Sequence, residues 1–213
     1  MTWLIFIDDL HIDFRNTGRV RQLLRSITTE LIRDEDVFAV RSSGPSAIAI
    51  GAGSDRARLE AAIRTVTGGG LHASYISNRS SDVSEEVGFR LGIAFSAVAE
   101  LLGNVPKSPD RRRVMLYISN GYQSECGRAS ATSFAAAAQR ADVSVFAMNA
   151  GGLPSQLAAN AGVDPTFWKQ VEASRRQTLR AIAEPTGGFA VLDSVGFADA
   201  MPRIRAAAAG ISK

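Results

Sequence analysis

The chain has 213 residues, with 24 Lys and Arg against 21 Asp and Glu, a net charge of +3 and one cysteine, Cys126. That length supports a single domain able to bury a core without staples, and one thiol excludes an internal disulfide and a cysteine-built zinc cluster. Arginines spread over several segments without an aromatic-interleaved stripe give no indication of nucleic-acid binding, and no apolar run reaches membrane-spanning length.

Trp3 to Ile7 reads as a nearly continuous apolar strand of the kind buried on both faces of a parallel sheet. From Asn16 or Thr17 to Arg33, Val20, Leu23, Leu24, Ile27 and Leu31 mark one helical face. Asp36 to Arg41 and Ser46 to Ile50 read as short strands around the turn Ser42-Ser-Gly-Pro45, an edge hairpin. A helix over Asp55 to Thr67 stops at Gly68-Gly-Gly70. A polar, turn-rich segment from Leu71 to Ser81 leads to Asp82, which with Glu85 suggests a capping box for a long helix carrying Val87, Leu91, Ala94, Phe95, Val98 and Leu102.

The basic run Arg111-Arg112-Arg113 reads as a solvated loop end before the strand Val114 to Ile118, which finishes in Ser119-Asn120-Gly121. An alanine-rich helix over about Ser130 to Ala141 and a strand Val143 to Met148 follow. Gly151 to Pro165 is irregular and reads as a functional loop near a strand end. A helix over Thr166 to Ala183, a strand Phe189 to Leu192 and a last helix with Phe197, Met201, Ile204 and Ile211 complete the chain. Strands alternating with helices predict an α/β protein: a three-layer α/β/α sandwich with a Rossmann-like, mostly parallel sheet and one antiparallel edge hairpin, in a single domain over 1–213.

The chemistry concentrates at the end of the first strand, where Asp8, Asp9, His11 and Asp13 fall within six positions. Open parallel sheets bind ligands beyond the carboxyl ends of their strands. Clustered carboxylates need a cation, a hydrogen-bonding shell or open water, so two readings stand: a site, or one acid capping the next helix while the others face solvent. There is no Gly-x-Ser-x-Gly elbow, no Gly-x-x-x-x-Gly-Lys phosphate loop and no dinucleotide fingerprint.

An apolar strand ending in Asp, a second ending in a polar-Asn-Gly triplet, and Leu179-Arg-Ala-Ile-Ala-Glu-Pro-Thr-Gly-Gly188 resemble the von Willebrand factor A fold. Asp8 to His11 and Asn16 to Arg19 are similar to a phrase of the branch called the VWFA-related Acidobacterial domain. The resemblance implies a metal-ion-dependent adhesion site, in which a divalent cation completes its coordination with an acidic group of a partner. Its usual first loop is Asp-x-Ser-x-Ser, with a Thr from a second loop and an Asp before Gly from a third. Asp8 matches the first carboxylate, but Leu10 and Ile12 replace the serines and Asn120 replaces the third-loop Asp, while Ser80 and Ser81 stand where the second-loop hydroxyl is expected. Sliding by one residue gives Asp9-x-His11-x-Asp13, where His11 would favour a softer metal.

These residues predict a non-enzymatic protein-interaction domain with a degenerate adhesion site, binding a protein partner through Asp8, Asp9, His11, Asp13, Ser81, Ser119, Asn120 and Tyr122. Tyr122 and Trp168 are candidate aromatic anchors, with core packing as the alternative, and residues 124–130 and 151–165 would form the rim. Any cation, Mg2+ or Ca2+ ahead of Zn2+ or Mn2+, would be held by Asp8, Asp9 and Asn120; the alternative is a metal-free site in which Asp8 and Asp9 hydrogen-bond loop amides or the hydroxyl of Ser119. On this reading Asp8→Ala affects ion or partner binding more than stability. The alternatives are a Mg2+-dependent phosphotransferase or phosphatase with a strand-one aspartate nucleophile, for which Lys107, Lys169 and Lys213 offer no well-placed lysine, and an architectural envelope-protein domain. A chain opening directly on its first strand, with no signal-peptide pattern, is expected to belong to a longer protein, secreted or periplasmic compartments included.

Overall fold

The computed structural model describes residues 1–78, 81–106, 108, 110–123, 125–151, 162–193 and 197–210. Its centre is β1 (Thr2–Ile7), paired in parallel with β2 (Val37–Ser42) on one side and β4 (Arg113–Ser119) on the other. Beyond β4 lie β5 (Val143–Asn149) and the short β6 (Ala190–Val191), both parallel, and β3 (Ala49–Gly53) runs antiparallel on the opposite edge. The order β3-β2-β1-β4-β5-β6 means that the chain winds one way from β1 and returns to the other side at β4. That reversal opens a crevice at the carboxyl ends of β1 and β4.

Alternation along β1 sets the layers. Trp3, Ile5 and Ile7 pack on one face with α1 (Thr17–Glu30), α2 (Arg56–Thr65) and α7 (Phe197–Ala208), through Leu24, Ile27, Ile63 and Ile204. Leu4 and Phe6 pack on the other with α4 (Ser81–Asn104), α5 (Glu125–Arg140) and α6 (Pro165–Ala183), through Val98, Phe134 and Leu179. Full burial of such a side chain stabilises by about 1.5–3 kcal/mol, so this double-sided strand organises the core. No helix among the described residues is long and apolar enough to cross a membrane.

The mostly parallel sheet and its antiparallel edge follow the sequence expectation, while several boundaries differ for identifiable reasons. The polar 71–81 segment contains a short helix, α3 (Ala73–Ser77), capped by His72, whose ring Nδ1 accepts from Ser74 N. Asp82 lies in the first turn of α4 rather than before it. Helix α5 starts at Glu125, ahead of the expected Ser130, because its opening turns carry no large apolar residue to mark them in sequence. Residues 125–130 are therefore helical and not a loop rim. Arg113 is not solvated: it is buried and donates to the carbonyls of Val105, at 3.0 Å, and Ala141, tying β4 to the helices beneath it. Most of the expected 151–165 loop, and Ile211, fall outside the described residues.

Candidate functional site at the strand carboxyl ends

Asp8 follows β1 directly, and its backbone N–H donates to Ile118 O at 2.8 Å, so the residue stays locked between β1 and β4. Its side chain has no exposure to solvent. Oδ1 accepts from His11 Nδ1 at 2.8 Å and faces the Ser43 hydroxyl at 3.0 Å. Oδ2 accepts from Ser119 Oγ at 2.7 Å and Tyr122 OH at 2.8 Å. Because Tyr122 gives its proton to Asp8, the phenol of Tyr117 must be the donor in the buried Tyr117–Tyr122 hydrogen bond.

The electrostatics follow from this packing. Burial works to raise the Asp8 carboxyl, but His11 beside it and the hydrogen bonds from His11, Ser119 and Tyr122 outweigh that and hold it below its ordinary range. Burial, reinforced by the Asp8 charge, pushes both Tyr117 and Tyr122 well above the usual phenol range.

Asp9 is equally buried but turned another way. Its Oδ1 accepts from Gly44 N at 2.6 Å and faces the same Ser43 hydroxyl at 3.0 Å, and its Oδ2 accepts from Ser46 N at 2.7 Å. It closes the β2–β3 turn. A Cβ at position 44 would lie 2.6 Å from the Leu10 side chain, so glycine there permits the approach. Asp13 caps the 3-10 turn Phe14–Asn16 and forms an ion pair with Arg15 at 2.8 Å; the hydrogen bond from Arg15 holds its carboxyl low. The three acids from one short loop thus serve three separate purposes.

Above this network lies a cavity of ≈ 50 Å³. Leu10, Leu71, Ile76, Val87, Leu91 and Trp168 provide its apolar wall, and His11, Asn120, Gln123, Glu172 and Arg175 its polar side. With Nδ1–H committed to Asp8, His11 keeps Nε2 as its remaining hydrogen-bonding atom, and its ring stands edge-on to Tyr122 at 4.8 Å. Asn120 Oδ1, Gln123 Oε1, Trp168 Nε1 and Arg175 Nε are buried without a hydrogen-bond partner among the described residues, and all four belong to cavity-lining side chains. Buried polar atoms are rarely left so, and their concentration in one cavity marks it as a place where a ligand completes the hydrogen bonding.

The structure therefore brings Asp8, His11, Ser119, Asn120 and Tyr122 together, with Asp9 adjoining through Ser43. Asp13 lines the cavity, while the Ser81 side chain and Ser80 lie outside the described residues. Asp8 and Asp9 do not present carboxylates at the surface: the Ser119 hydroxyl bonds Asp8 and the loop amides of Gly44 and Ser46 bond Asp9, the pairing that the metal-free alternative describes. Ser43, which the sequence reading passed over, is the hydroxyl that bridges them, and its Oγ also accepts from Leu10 N at 3.1 Å. The turn composition Ser42-Ser-Gly-Pro45 was its only local signal. Arg175, Glu172 and Gln123 were also passed over, since helical periodicity does not reveal which polar side chains face a cavity.

A divalent cation does not fit this donor set. Mg2+ requires about six oxygens in octahedral array. Both oxygens of Asp8 and Asp9 are already occupied by donors, Ile12 is fully buried in the core, and of the three expected ligands only Asn120 keeps an unpartnered oxygen among the described residues. The shifted Asp9-His11-Asp13 set fails as well, because each side chain engages a different partner. No group of three His, Cys, Asp or Glu suited to a metal occurs among the described residues. Asp8, the strand-one aspartate of the phosphotransferase alternative, has no solvent exposure and both its oxygens are engaged.

No protein-family profile matches the sequence, and no curated protein matches it. Solved structures do. Proximal thread matrix protein 1 from the mussel byssus aligns with a TM-score of 0.54 and 15% identity, covering 97% of this chain and 46% of that one. The pilus adhesin SpaC from Lactobacillus rhamnosus GG, in an open conformation, aligns at 0.57 and 12%, covering 99% and 30%. A form of the mussel protein with a zinc-occupied MIDAS motif aligns at 0.50 and 14%, covering 99% and 46%. The chain spans less than half the length of these proteins. The fold is von Willebrand factor A-like.

Proposed function

We propose that this von Willebrand factor A-like domain is a non-enzymatic protein-interaction module whose strand-end adhesion site is degenerate and works without a cation. The observation that carries this reading is the saturated Asp8 carboxylate beneath a cavity whose own polar atoms are unsatisfied. The residue at the usual first metal ligand has become an internal strut, and recognition passes to the side chains above it. His11, Asn120 and the edge of Tyr122 meet the partner, with Asp13 at the rim, while Asp8, Asp9 and Ser119 hold the loops that carry them. The similar adhesin and matrix proteins support an interaction role, and one of them is described with a zinc-occupied MIDAS motif.

Two measurements test the proposal. Thermal-shift titration with Mg2+, Mn2+, Ca2+ and Zn2+ is expected to give no stabilisation at millimolar ion, whereas a rise following ligand mass action with any of them overturns the cation-independent site. Peptide-display selection against the domain is expected to yield binders that compete at the cavity and persist in chelator. A selection that yields only binders to other faces overturns the interaction site.

A further inference from the structure

We infer that the cavity receives a glutamine side chain of the partner, with an aliphatic stem against the apolar wall and a neutral carboxamide on the unsatisfied polar atoms. This rests on the interaction reading above and adds the chemistry of the group that enters.

Three observations select that group. The first is size: ≈ 50 Å³ is room for a group of side-chain dimensions. The second is charge pairing. Around the cavity Asp13 pairs with Arg15 at 2.8 Å, Glu172 with Arg175 at 3.2 Å and Arg90 with Glu86 at 2.5 Å, and a further Arg90 nitrogen donates to Gly69 O at 2.6 Å. A charged head group would find its counter-charges engaged and would pay for desolvation without return. The third is the kind of atom left unsatisfied: acceptors on Asn120 and Gln123, donors on Trp168 and Arg175. A carboxylate answers only the donors and an ammonium only the acceptors. A primary carboxamide presents N–H and C=O together and answers both. The apolar wall of Leu71, Ile76, Val87 and Leu91 calls for a methylene stem ahead of the amide, which glutamine supplies at greater length than asparagine.

The chain carries its own reporter. It has two tryptophans, and Trp3 Nε1 donates to Asp36 Oδ2 at 3.0 Å in the core, whereas Trp168 Nε1 belongs to the cavity wall without a partner. In 15N-labelled full chain, blocked pentapeptides identical except for a central Gln, Glu, Lys or Leu are titrated and both indole N–H signals followed. The expected result is a saturable shift of the Trp168 signal with the Gln peptide, an unmoved Trp3 signal, and binding of the Glu and Lys peptides weaker by about tenfold, equivalent to about 1.4 kcal/mol. Trp168→Phe, which keeps a ring and removes the donor, and Gln123→Met, which keeps the volume and removes the amide, are each expected to weaken the Gln peptide severalfold when read on the backbone amides of Gly121 and Tyr122. Equal or tighter binding of the Glu, Lys or Leu peptide, or no saturable shift with the Gln peptide, overturns the assignment. Cavity-dependent peptides from display that are enriched in a residue other than Gln overturn it too, and leave the interaction reading standing.

Discussion

Tyr122 donates its phenolic proton to Asp8 Oδ2 at 2.8 Å, joining residues 114 positions apart in the chain. The bond latches the turn after β4 to the end of β1, and the Ser119 hydroxyl repeats the connection at 2.7 Å. The carboxylate that the resemblance would assign to a metal instead fastens the two central strands at the point where the sheet winding reverses.

Asp8→Ala is therefore expected to cost roughly 3–5 kcal/mol of stability, the range found when one member of a buried charged network is removed and its partners are left unpaired. Urea denaturation measures this. A loss below about 1 kcal/mol would show that the donors re-pair without the carboxylate.

The pH dependence has a definite sign on each side. Asp8 is held below its ordinary value in the folded state, so its contribution is fully present above about pH 4–5 and is lost as pH falls through the depressed folded value. Tyr117 and Tyr122 are raised in the folded state, so above about pH 10 the unfolded chain releases protons that the native state retains, and stability falls again. Urea midpoints measured from acid to alkaline pH should show a plateau with a decline at each end. A midpoint that stays level past pH 10 would contradict the buried tyrosine pair.

Rebuilding the usual first loop by Leu10→Ser with Ile12→Ser should not create a cation site. Ile12 is fully buried in the core beneath β1, so a serine there loses apolar packing and buries a hydroxyl, at about 2–4 kcal/mol. Thermal shift of the double variant with and without Mg2+ checks both halves: a lower melting temperature and no response to the ion. Recovery of stability on adding Mg2+ would count against the degenerate site.

Gly121 has φ +76°, and a Cβ there would lie 2.3 Å from Arg175 O, so Gly121→Ala strains the turn and collides with α6. The substitution should destabilise by more than about 1 kcal/mol and shift the Trp168 indole signal, since Arg175 sits over that ring at 5.2 Å. An unchanged denaturation midpoint would show that the turn can relax away from the helix.

Much of the architecture was legible in the linear order of residues. The runs Trp3 to Ile7 and Val114 to Ile118, apolar at every position, announce strands buried on both faces, and the Val20-Leu23-Leu24-Ile27 period announces the first helix. The turn Ser42-Ser-Gly-Pro45 announced the antiparallel edge, which pairs Arg41 with Ala49. The site was legible as a location, because an acid cluster after one strand and Ser119-Asn120-Gly121 after another belong at the same rim of a wound sheet.

What the side chains do at that rim was decided only by tertiary contact. Local pattern determines which residues are released at a strand end, but a carboxylate's role depends on which donors other segments bring within 3 Å of it. For Asp8 these come from Ser43, Ser119 and Tyr122, and for Asp9 from Gly44 and Ser46, each at a separation that no periodicity encodes. The sequence by itself thus determined strands, helices and the rim they share, because burial period is a property of consecutive residues. Only the folded chain decided that Asp8 and Asp9 turn inward and leave Asn120, Gln123, Trp168 and Arg175 at the cavity above, because hydrogen bonding and desolvation are settled between residues far apart in sequence.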